Sequence, residues 1–341
     1  MKRRAAFMLV DLVVVITIIG FLVGLLAPVT LAAKESARRT QCSNNLRQIA
    51  MAMQHFAAVH EVYPPSRDWN RKINDHSEAW SAQAKILPFV SENTAFKNAN
   101  FRFGEKKSKF ADGTPIRCLR VATYICPDEL HDTALLVNGK PESYPLNYGL
   151  NMGTWLVYDP ANDKGGQGCF YPNARLRPAD ITKGLSNTLM AAEVKAFTPF
   201  LHDAAAENVP PMPSSRAICH MGGIGEFGTN FTDSTGHADW SEGLVDQIGF
   251  TTTLAPNTFV ACASTTQICD IDFTNMTEGR STTAPTFAAV TSRSYHGRIV
   301  NASFMDGSTH TISDDIDVCV WQALSTRSGH GTATGLQDFQ D

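Results

Sequence analysis

The sequence has little charge and lacks the short motifs that mark common catalytic sites. Charged residues make up 18% of the 341 residues, and the formal net charge is −4. This balance gives no reason to expect a nucleic-acid partner, because binding to a phosphate backbone needs a basic surface. No G-x-S-x-G, H-E-x-x-H or P-loop motif occurs, and these are common signatures of hydrolases, zinc proteases and nucleotide-binding proteins. We therefore expect no catalytic residues and predict that the protein is not an enzyme.

The composition excludes several structural classes as well. Hydrophobic residues make up 43% of the chain, which excludes intrinsic disorder. No repeat of fixed period is visible, so a solenoid is not indicated. None of the cysteines forms a C-x-x-C pair, which argues against a zinc ribbon or a thioredoxin-type site. What remains is a globular chain that is long enough to bury a core, with about two domains as the expectation from length.

A long apolar run near the start is the strongest local signal. Residues 1–6, MKRRAA, form a basic leader, and the 21 residues 7–27 that follow contain a single charge, Asp11. As a helix, this run would be about 30 Å long, which matches the hydrocarbon core of a membrane. Basic flanks stay on the cytoplasmic side. The pattern predicts a single-pass protein of the inner (cytoplasmic) membrane, with its C-terminal domain in the periplasm or cell envelope.

Asp11 is the unusual residue of that run, because a carboxylate at the centre of a spanning helix costs about 2.5–3.5 kcal/mol. It lies near one end of the run, where the cost is smaller. One interpretation is a tolerated charge near the membrane surface. The other is a carboxylate that needs a cationic partner. The residues alone favour the first.

The helical pattern continues beyond the apolar run as a stalk, residues 29–62. Its first 32 residues contain neither glycine nor proline. Five residues are spaced by 4, 3, 4 and 3 positions and therefore share one helix face: Cys42, Leu46, Ile49, Met53 and Phe56. The second half of this helix should pack on a globular domain, and Tyr63-Pro64-Pro65 should end it.

The rest of the chain predicts an α+β domain over residues 63–330, followed by a polar tail, 331–341. Its strands should be mainly antiparallel and separated by long loops. The segment 298–313 is the clearest hairpin, with Asp306 and Gly307 as a type I′ turn. Other predicted segments are 116–126 (containing a short strand before Pro127), 146–158 (paired strands), 179–194 (a turn or short helix leading into a strand) and 320–327 (a closing helix or strand).

The eight cysteines predict disulfides if the chain is exported. Short loops favour Cys118–Cys126 and Cys262–Cys269. Cys42 could instead join the stalk helix to the domain through Cys126, and the sequence leaves this choice open.

Two groups of residues are candidates for chemical sites. His296 and Asp306 could form a metal or acid–base pair, but their spacing fits a hairpin better, with His296 packing or hydrogen-bonding before the first strand. Asp233, Asp239 and Glu242 could supply oxygen ligands to Ca²⁺, although no EF-hand spacing is present. We expect no metal site and no cofactor, with Ca²⁺ as the only ion considered.

The N-terminal pattern resembles the type IV prepilin signal: a basic leader, a small residue, Phe7, and an apolar helix with an acidic fifth residue. The resemblance implies cleavage between Ala6 and Phe7 by a prepilin peptidase and methylation of the new amine. Asp11 would pair with the N-terminal amine of a neighbouring subunit during assembly. Pro28 would occupy the position of the helix-kinking proline of pilins.

Further elements along the chain resemble the DUF1559 proteins, which combine a prepilin-type start with a C-terminal H-X9-DG motif. That motif matches His296, Asp306 and Gly307. The other matching elements, in chain order, are QCSNNL (41–46), YPP (63–65), YICPD (124–128), NYG (147–149), DITKGLSNT (180–188), GHADW (236–240), GFTTT (249–253) and WQALSTR (321–327).

The resemblance implies a pilin-like α+β fold and a pilin-like or pseudopilin-like structural subunit of a type II secretion or type IV pilus-like assembly. Its partners would be the prepilin peptidase, other pilin-like subunits and the membrane. The alternative is an anchored envelope protein that binds a glycan or surface ligand and does not assemble. In that case the loop region 203–257 and aromatic side chains would contact the ligand, namely Trp155, Tyr158, Trp240 and Phe250.

Overall fold

The computed structural model describes residues 9–69, 79–90, 92–101, 104–203, 212–226, 234–263 and 268–329. Ala6, Phe7 and the predicted tail lie outside these ranges, and only the backbone is described at Asp11 and Pro28. The chain divides into two compact units, Met1–Gln41 and Cys42–Asp341.

Helix α1, Leu9–His60, is a single 52-residue helix whose assignment continues through Pro28. In the first unit its apolar side chains are 46–67% exposed at the ten positions 12–16, 18, 19 and 21–23. These positions lie on all sides of the helix, so this part of the helix has no polar face. Among the described residues, no helix is long and apolar enough to qualify as a membrane-crossing segment.

In the second unit, α1 is held by the apolar stripe that the sequence predicts. Cys42, Leu46, Ile49 and Met53 are at most 1% exposed, and Phe56 packs on the same core. The helix ends at His60, after which Glu61 adopts a left-handed φ of 65°. This confirms the prediction that the second half of the helix packs on the domain.

The remaining helices are short. They are α2 (Ala82–Lys85), α3 (Asn93–Asn98), α4 (Ser215–Ile218), α5 (Val245–Ile248) and α6 (Val318–Ser325). Turns of 3₁₀ helix occupy Leu87–Val90, Glu105–Lys107, Ile116–Cys118, Ala122–Tyr124, Pro178–Asp180, Leu185–Asn187 and Cys219–Met221. Helix α6 is the closing element expected at 320–327.

The strands are β1 (Leu135–Val137), β2 (Lys140–Ser143), β3 (Tyr148–Asn151), β4 (Leu156–Asp159), β5 (Lys164–Gly165), β6 (Leu189–Glu193), β7 (Phe200–His202), β8 (Ile224–Glu226), β9 (Gly249–Phe250), β10 (Ala261–Ala263), β11 (Ile268–Asp270), β12 (Asp272–Thr274), β13 (Thr286–Ala289), β14 (Ile299–Phe304) and β15 (Thr309–Ser313). One sheet has the order β15-β14-β6-β3-β9 and another β5-β4-β13-β12-β7-β8, with β1-β2 and β10-β11 as separate hairpins. All described pairs are antiparallel except β3–β9 and β7–β12. The α+β class with a mainly antiparallel domain is therefore confirmed.

The predicted hairpin at 298–313 is formed by β14 and β15, but its turn differs from the predicted type I′. The Gly307 N–H donates to the Phe304 carbonyl, and Gly307 has a φ of 87°. Asp306 is not among the residues with positive φ, which a type I′ turn requires at both central positions. A three-residue loop that ends in a left-handed glycine explains the geometry, because it allows a non-glycine residue at position 306.

Two other local predictions are wrong. Residues 116–126 contain two 3₁₀ turns, Ile116–Cys118 and Ala122–Tyr124, where the sequence predicts a short strand. At the end of the segment, the Asn147 side chain accepts the Cys126 N–H, so this group does not join a strand ladder. Strands β3 and β4 lie in different sheets instead of pairing with each other. Between them, the Asn151 carboxamide accepts the Gly153 N–H and turns the chain.

A close contact of two glycines joins β3 to β9. A Cβ at Gly149 would lie 2.8 Å from the Gly249 carbonyl oxygen and 3.1 Å from Val194 Cγ1. The first of these neighbours is backbone and cannot rotate away. We predict that Gly149→Ala lowers the free energy of unfolding by about 1–3 kcal/mol through overpacking, measured by urea denaturation. Gly329→Ala is the control, since a Cβ at this position would have no heavy atom within 4 Å. Equal stability of the two variants would contradict the prediction.

Candidate functional site

Residues from four distant parts of the sequence meet in one buried group at the second unit's part of α1. We call it the disulfide cluster and define it as Cys42, Cys126, Asp128, Glu193 and His296. Helix α1 contributes Cys42, the loop after the 3₁₀ turn Ala122–Tyr124 contributes Cys126 and Asp128, β6 contributes Glu193, and the segment before β14 contributes His296. Apart from Glu193, each lies in one of the sequence elements on which the family resemblance rests.

A disulfide links Cys42 to Cys126, with a Cα–Cα distance of 5.4 Å. It joins the helix to the domain, which is one of the two alternatives left open by the sequence. The short-loop pairing of Cys118 with Cys126 is wrong, and Cys118 is a free thiol. Cys42 lies on the buried stripe of α1 and reaches Cys126 directly, whereas the 3₁₀ turn at Ile116–Cys118 leaves Cys118 partly exposed.

The second disulfide also differs from the short-loop pairing. Cys262 and Cys269 are directly opposite each other in the β10–β11 ladder, but Cys262 is bonded to Cys219 and Cys269 is a free, buried thiol. The partner comes from a distant 3₁₀ turn, Cys219–Met221. Loop length alone therefore fails to identify the pairing.

His296 lies at the centre of the disulfide cluster, and its side chain is 1% exposed. Its Nε2 atom is 3.3 Å from Glu193 Oε1 and 3.6 Å from Cys126 Sγ. Its Nδ1 atom is 3.2 Å from Asp128 Oδ2. Both ring nitrogens therefore lie within ion-pair distance of a carboxylate.

Asp306 belongs to a different place. It lies in the hairpin loop at the far end of β14, where its Oδ1 atom accepts hydrogen bonds from the N–H and hydroxyl of Ser308. The structure does not bring His296 and Asp306 together, so these two residues do not form a metal site or an acid–base pair. The spacing in the H-X9-DG motif corresponds to β14 with its flanking residues.

Asn301 of strand β14 fixes the Glu193 carboxylate. Glu193 Oε2 accepts a hydrogen bond from the Asn301 N–H at 2.7 Å, and Glu193 Oε1 accepts one from the Asn301 side-chain amide at 3.0 Å. Asn301 in turn accepts a hydrogen bond from the Thr311 hydroxyl of β15. A buried carboxylate needs such partners, because an unpaired one is costly to desolvate.

Buried amides connect the disulfide cluster to the rest of the core. Asn45 donates to the Ile125 carbonyl at 3.0 Å and to the Tyr148 hydroxyl at 3.2 Å. Burial, with a further contribution from nearby Glu193, raises the pKa of Tyr148 well above its usual value. Asn147 accepts the Cys126 N–H at 3.0 Å. The backbone around Cys126 is therefore held by side chains on both sides.

The disulfide cluster also contains potential metal ligands, which the sequence reasoning missed. One ligand atom each from Cys42, Cys126, Glu193 and His296 lies within 4.8 Å of the others. The sequence positions span more than 250 residues, so no local spacing could have indicated this group. Its only local signal is that Cys42, Cys126 and His296 each lie in a family-like element.

The residues considered as Ca²⁺ ligands do not form a metal-ligand group among the described residues. Asp239 accepts hydrogen bonds from the Ser241 N–H and hydroxyl and forms an ion pair with Arg117 at 3.3 Å. Neither Asp239 nor Glu242 belongs to a metal-ligand group found in the described part of the chain. Asp233 lies outside the described residues.

A second polar region contains buried carboxyl groups with raised pKa values. Burial is the main cause at each, and neighbouring carboxylates add to it. The pKa rises to about 8 at Glu105 and Asp246, to about 7 at Glu278 and to about 6 at Asp239. Glu105 is fully buried, and neither of its carboxylate oxygens has a hydrogen-bond partner in the described structure. This residue is therefore a neutral acid over much of the physiological pH range.

We predict that replacing both Cys42 and Cys126 by Ser lowers the free energy of unfolding by about 4 kcal/mol, because the disulfide closes a long loop. The sequence separation is 84 residues. Urea denaturation followed by tryptophan fluorescence measures the change. Cys118→Ser is the control, since this thiol is free, and its stability should match the wild type. A loss of less than about 1 kcal/mol in the double variant would contradict the prediction.

We also predict that Glu105→Gln stabilises the protein at alkaline pH. The folded-state pKa is about 8 against an ordinary value of 4.5, so the folded chain binds more protons between these values. The free energy of unfolding should therefore fall as pH rises through this window. Gln removes the titration, so the stability of the variant should depend less steeply on pH. It should exceed the stability of the wild type by at least about 1 kcal/mol at about pH 8.5.

The control for that experiment is Glu61→Gln at an exposed position. Denaturation curves of the three proteins at about pH 5, 7 and 8.5 cover the window between the two pKa values. A wild-type stability that rises across this window, with an equal rise in Glu105→Gln, would show that Glu105 is not held neutral in the folded chain.

Comparison with known proteins identifies a family but gives no activity. Neither the curated proteins nor the solved structures include one that matches this chain. The sequence profile of the family described as "Protein of unknown function (DUF1559)" matches residues 31–318. This range contains all five residues of the disulfide cluster. The chain therefore belongs to the DUF1559 family.

Proposed function

We propose that the protein is a membrane-anchored, pilin-like or pseudopilin-like structural subunit of a type II secretion or type IV pilus-like assembly. A prepilin peptidase would process it between Ala6 and Phe7. The observation that carries the proposal is the apolar, exposed helix surface of the first unit.

That surface is unusual for a helix in water. Ten apolar side chains between Leu12 and Val23 are 46–67% exposed. Contiguous exposed apolar surface of this kind marks an interaction with a membrane or with other subunits. The sequence of residues 7–27 extends the run to the length of a bilayer core, although residues 7 and 8 and some side chains of the run lie outside those described.

Asp11 is the residue that would distinguish assembly from simple anchoring. A carboxylate in an apolar environment is stabilised by a nearby positive charge, and the amine of a processed Phe7 on a neighbouring subunit would supply one. Breaking such a pair is expensive, because it leaves one charge unpaired in an apolar environment. The pair would therefore set the axial register between neighbouring helices.

The disulfides support an extracytoplasmic domain, since disulfides persist in oxidising compartments. Both are bonds within the second unit. The Cys42–Cys126 bond joins α1 covalently to the domain just beyond the boundary of the two units.

The glycan-binding alternative loses the four aromatic residues that were expected to contact the ligand. Trp155, Tyr158, Trp240 and Phe250 are 0–6% exposed. Trp155 packs against Phe273 and Phe287, and Phe250 stacks on Trp321. These rings are core residues and have no free face for a sugar. Structural assembly is therefore the better-supported function.

We predict that Asp11→Ala leaves the protein in the membrane fraction but prevents assembly, because the apolar run is intact and the register-setting charge is lost. Mass spectrometry of the N-terminus and recovery of sheared filaments from the native cell measure the two effects. Asp11→Glu is the matched control, since it keeps the negative charge, and it should assemble.

Two outcomes would overturn the proposal. The first is normal filament recovery from Asp11→Ala. The second is a wild-type N-terminus at Met1, or one well beyond Phe7, instead of a methylated Phe7. Either would remove the proposed role of Asp11 and leave a plain anchor or an ordinary exported protein.

A further inference from the structure

We propose that the disulfide cluster is a Zn²⁺ site whenever Cys42 and Cys126 are thiols. Cys42, Cys126, His296 and Glu193 would be the four ligands. The disulfide and the metal-bound form are then two alternative states of the same residues. The proposal does not depend on whether the protein assembles.

The positions of the ligand atoms carry the inference. Bonds of about 2.0–2.3 Å in a tetrahedral zinc site place neighbouring ligand atoms about 3.3–3.8 Å apart. His296 Nε2 lies 3.3 Å from Glu193 Oε1 and 3.6 Å from Cys126 Sγ. All four ligand atoms lie within 4.8 Å of one another. Reduction only has to let the two sulfur atoms separate to about 3.8 Å.

The ligand types select the metal. Two thiolates, one imidazole and one carboxylate are a combination of soft and borderline donors that suits Zn²⁺. Mg²⁺ and Ca²⁺ prefer oxygen ligands and are excluded by the sulfur atoms. All four residues are buried, at 0–8% exposure. A closed site of four protein ligands is structural, because it leaves no open position for a substrate.

The groups around the ligands are those that a metal site needs. His296 Nε2 lies among the ligand atoms, and Nδ1 lies 3.2 Å from Asp128 Oδ2, within ion-pair distance. A carboxylate on the second nitrogen of a histidine orients the ring and increases its donor strength in zinc proteins. Asn301 fixes the Glu193 carboxylate with two hydrogen bonds. Both non-sulfur ligands therefore have a defined orientation without the metal.

The chemistry of the two states balances without any group outside the proposal. On binding, two S–H bonds ionise and two S–Zn bonds form. His296 binds through the lone pair of Nε2, so any proton on that atom leaves to solvent together with the two thiol protons. Oxidation by an acceptor disulfide moves two electrons from the thiolates to that acceptor, which takes up two protons from solvent and becomes two thiols. The Cys42–Cys126 bond forms and Zn²⁺ is released.

Zinc binding would let this part of the domain fold before the disulfide forms. The four ligands come from α1, the Cys126 loop, β6 and the segment before β14, so Zn²⁺ would hold the same segments that the disulfide later holds. Metal binding of this kind contributes directly to folding stability. A newly made chain could therefore close this part of its core before its cysteines are oxidised.

The test uses the full-length protein in detergent, reduced with a phosphine and freed of metal, and titrated with Co²⁺. Co²⁺ replaces Zn²⁺ and gives thiolate charge-transfer absorption. We expect one equivalent to bind to the wild type and to be displaced by Zn²⁺. His296→Gln should bind at least about tenfold more weakly, and Asp128→Asn about 10–100-fold more weakly. His310→Gln changes an exposed histidine on β15 and should bind like the wild type.

A second readout locates the thiols, because other cysteines are also free in the reduced chain. Alkylation followed by peptide mass spectrometry should show that Zn²⁺ protects Cys42 and Cys126 in the wild type but not in His296→Gln. Circular dichroism checks that each variant is folded, and the wild-type protection pattern stands even if a variant is not. Equal Co²⁺ affinity of wild type and His296→Gln, or Zn²⁺ protection of other cysteines only, would overturn the proposal.

Discussion

The second unit depends on a covalent and polar junction between one helix and one sheet. Cys42 of α1 is bonded to Cys126, and the bond lies against a buried histidine and a buried carboxylate. Such groups are costly to bury unless each is paired. The pairing comes from Asn301, Asp128 and Asn147, which belong to separate parts of the chain. The strands and turns that carry these residues must therefore be in place together, which couples the sheet to the helix.

The H-X9-DG motif gains a physical meaning from this junction. His296 lies at one end of β14 and Gly307 at the other, with Asn301 between them. The histidine end contacts the disulfide, and the turn end contacts the same helix again, since the Gln54 side chain donates to the Met305 carbonyl at 2.9 Å. Residues at the two ends of β14 thus contact α1 at two places, and the motif spans the chain between these two contacts. In this structure the motif spans β14 and its flanking residues, and its histidine and aspartate do not meet.

The elements that a single segment encodes can be predicted from the sequence. The helix stripe from Cys42 to Phe56 and the hairpin at 298–313 follow from periodicity and turn chemistry within one segment. The pairing of Cys42 with Cys126, and of Cys219 with Cys262, depends on contacts between distant segments, and loop length favoured other partners. Glu193 was missed because a glutamate at the end of an apolar strand looks like a solvated residue. Its role depends on Asn301, more than 100 residues away, which no local pattern indicates.

The two polar regions of the domain solve the problem of buried acids in different ways. Glu193 is held by two hydrogen bonds from Asn301 and lies 3.3 Å from the His296 ring. Glu105 has no partner for either carboxylate oxygen in the described structure and stays neutral, because burial raises its pKa to about 8. A neutral carboxyl group responds to pH, whereas the disulfide cluster responds to the oxidation state of its sulfurs. The stability of the domain is therefore tied to the pH and to the redox state of its surroundings.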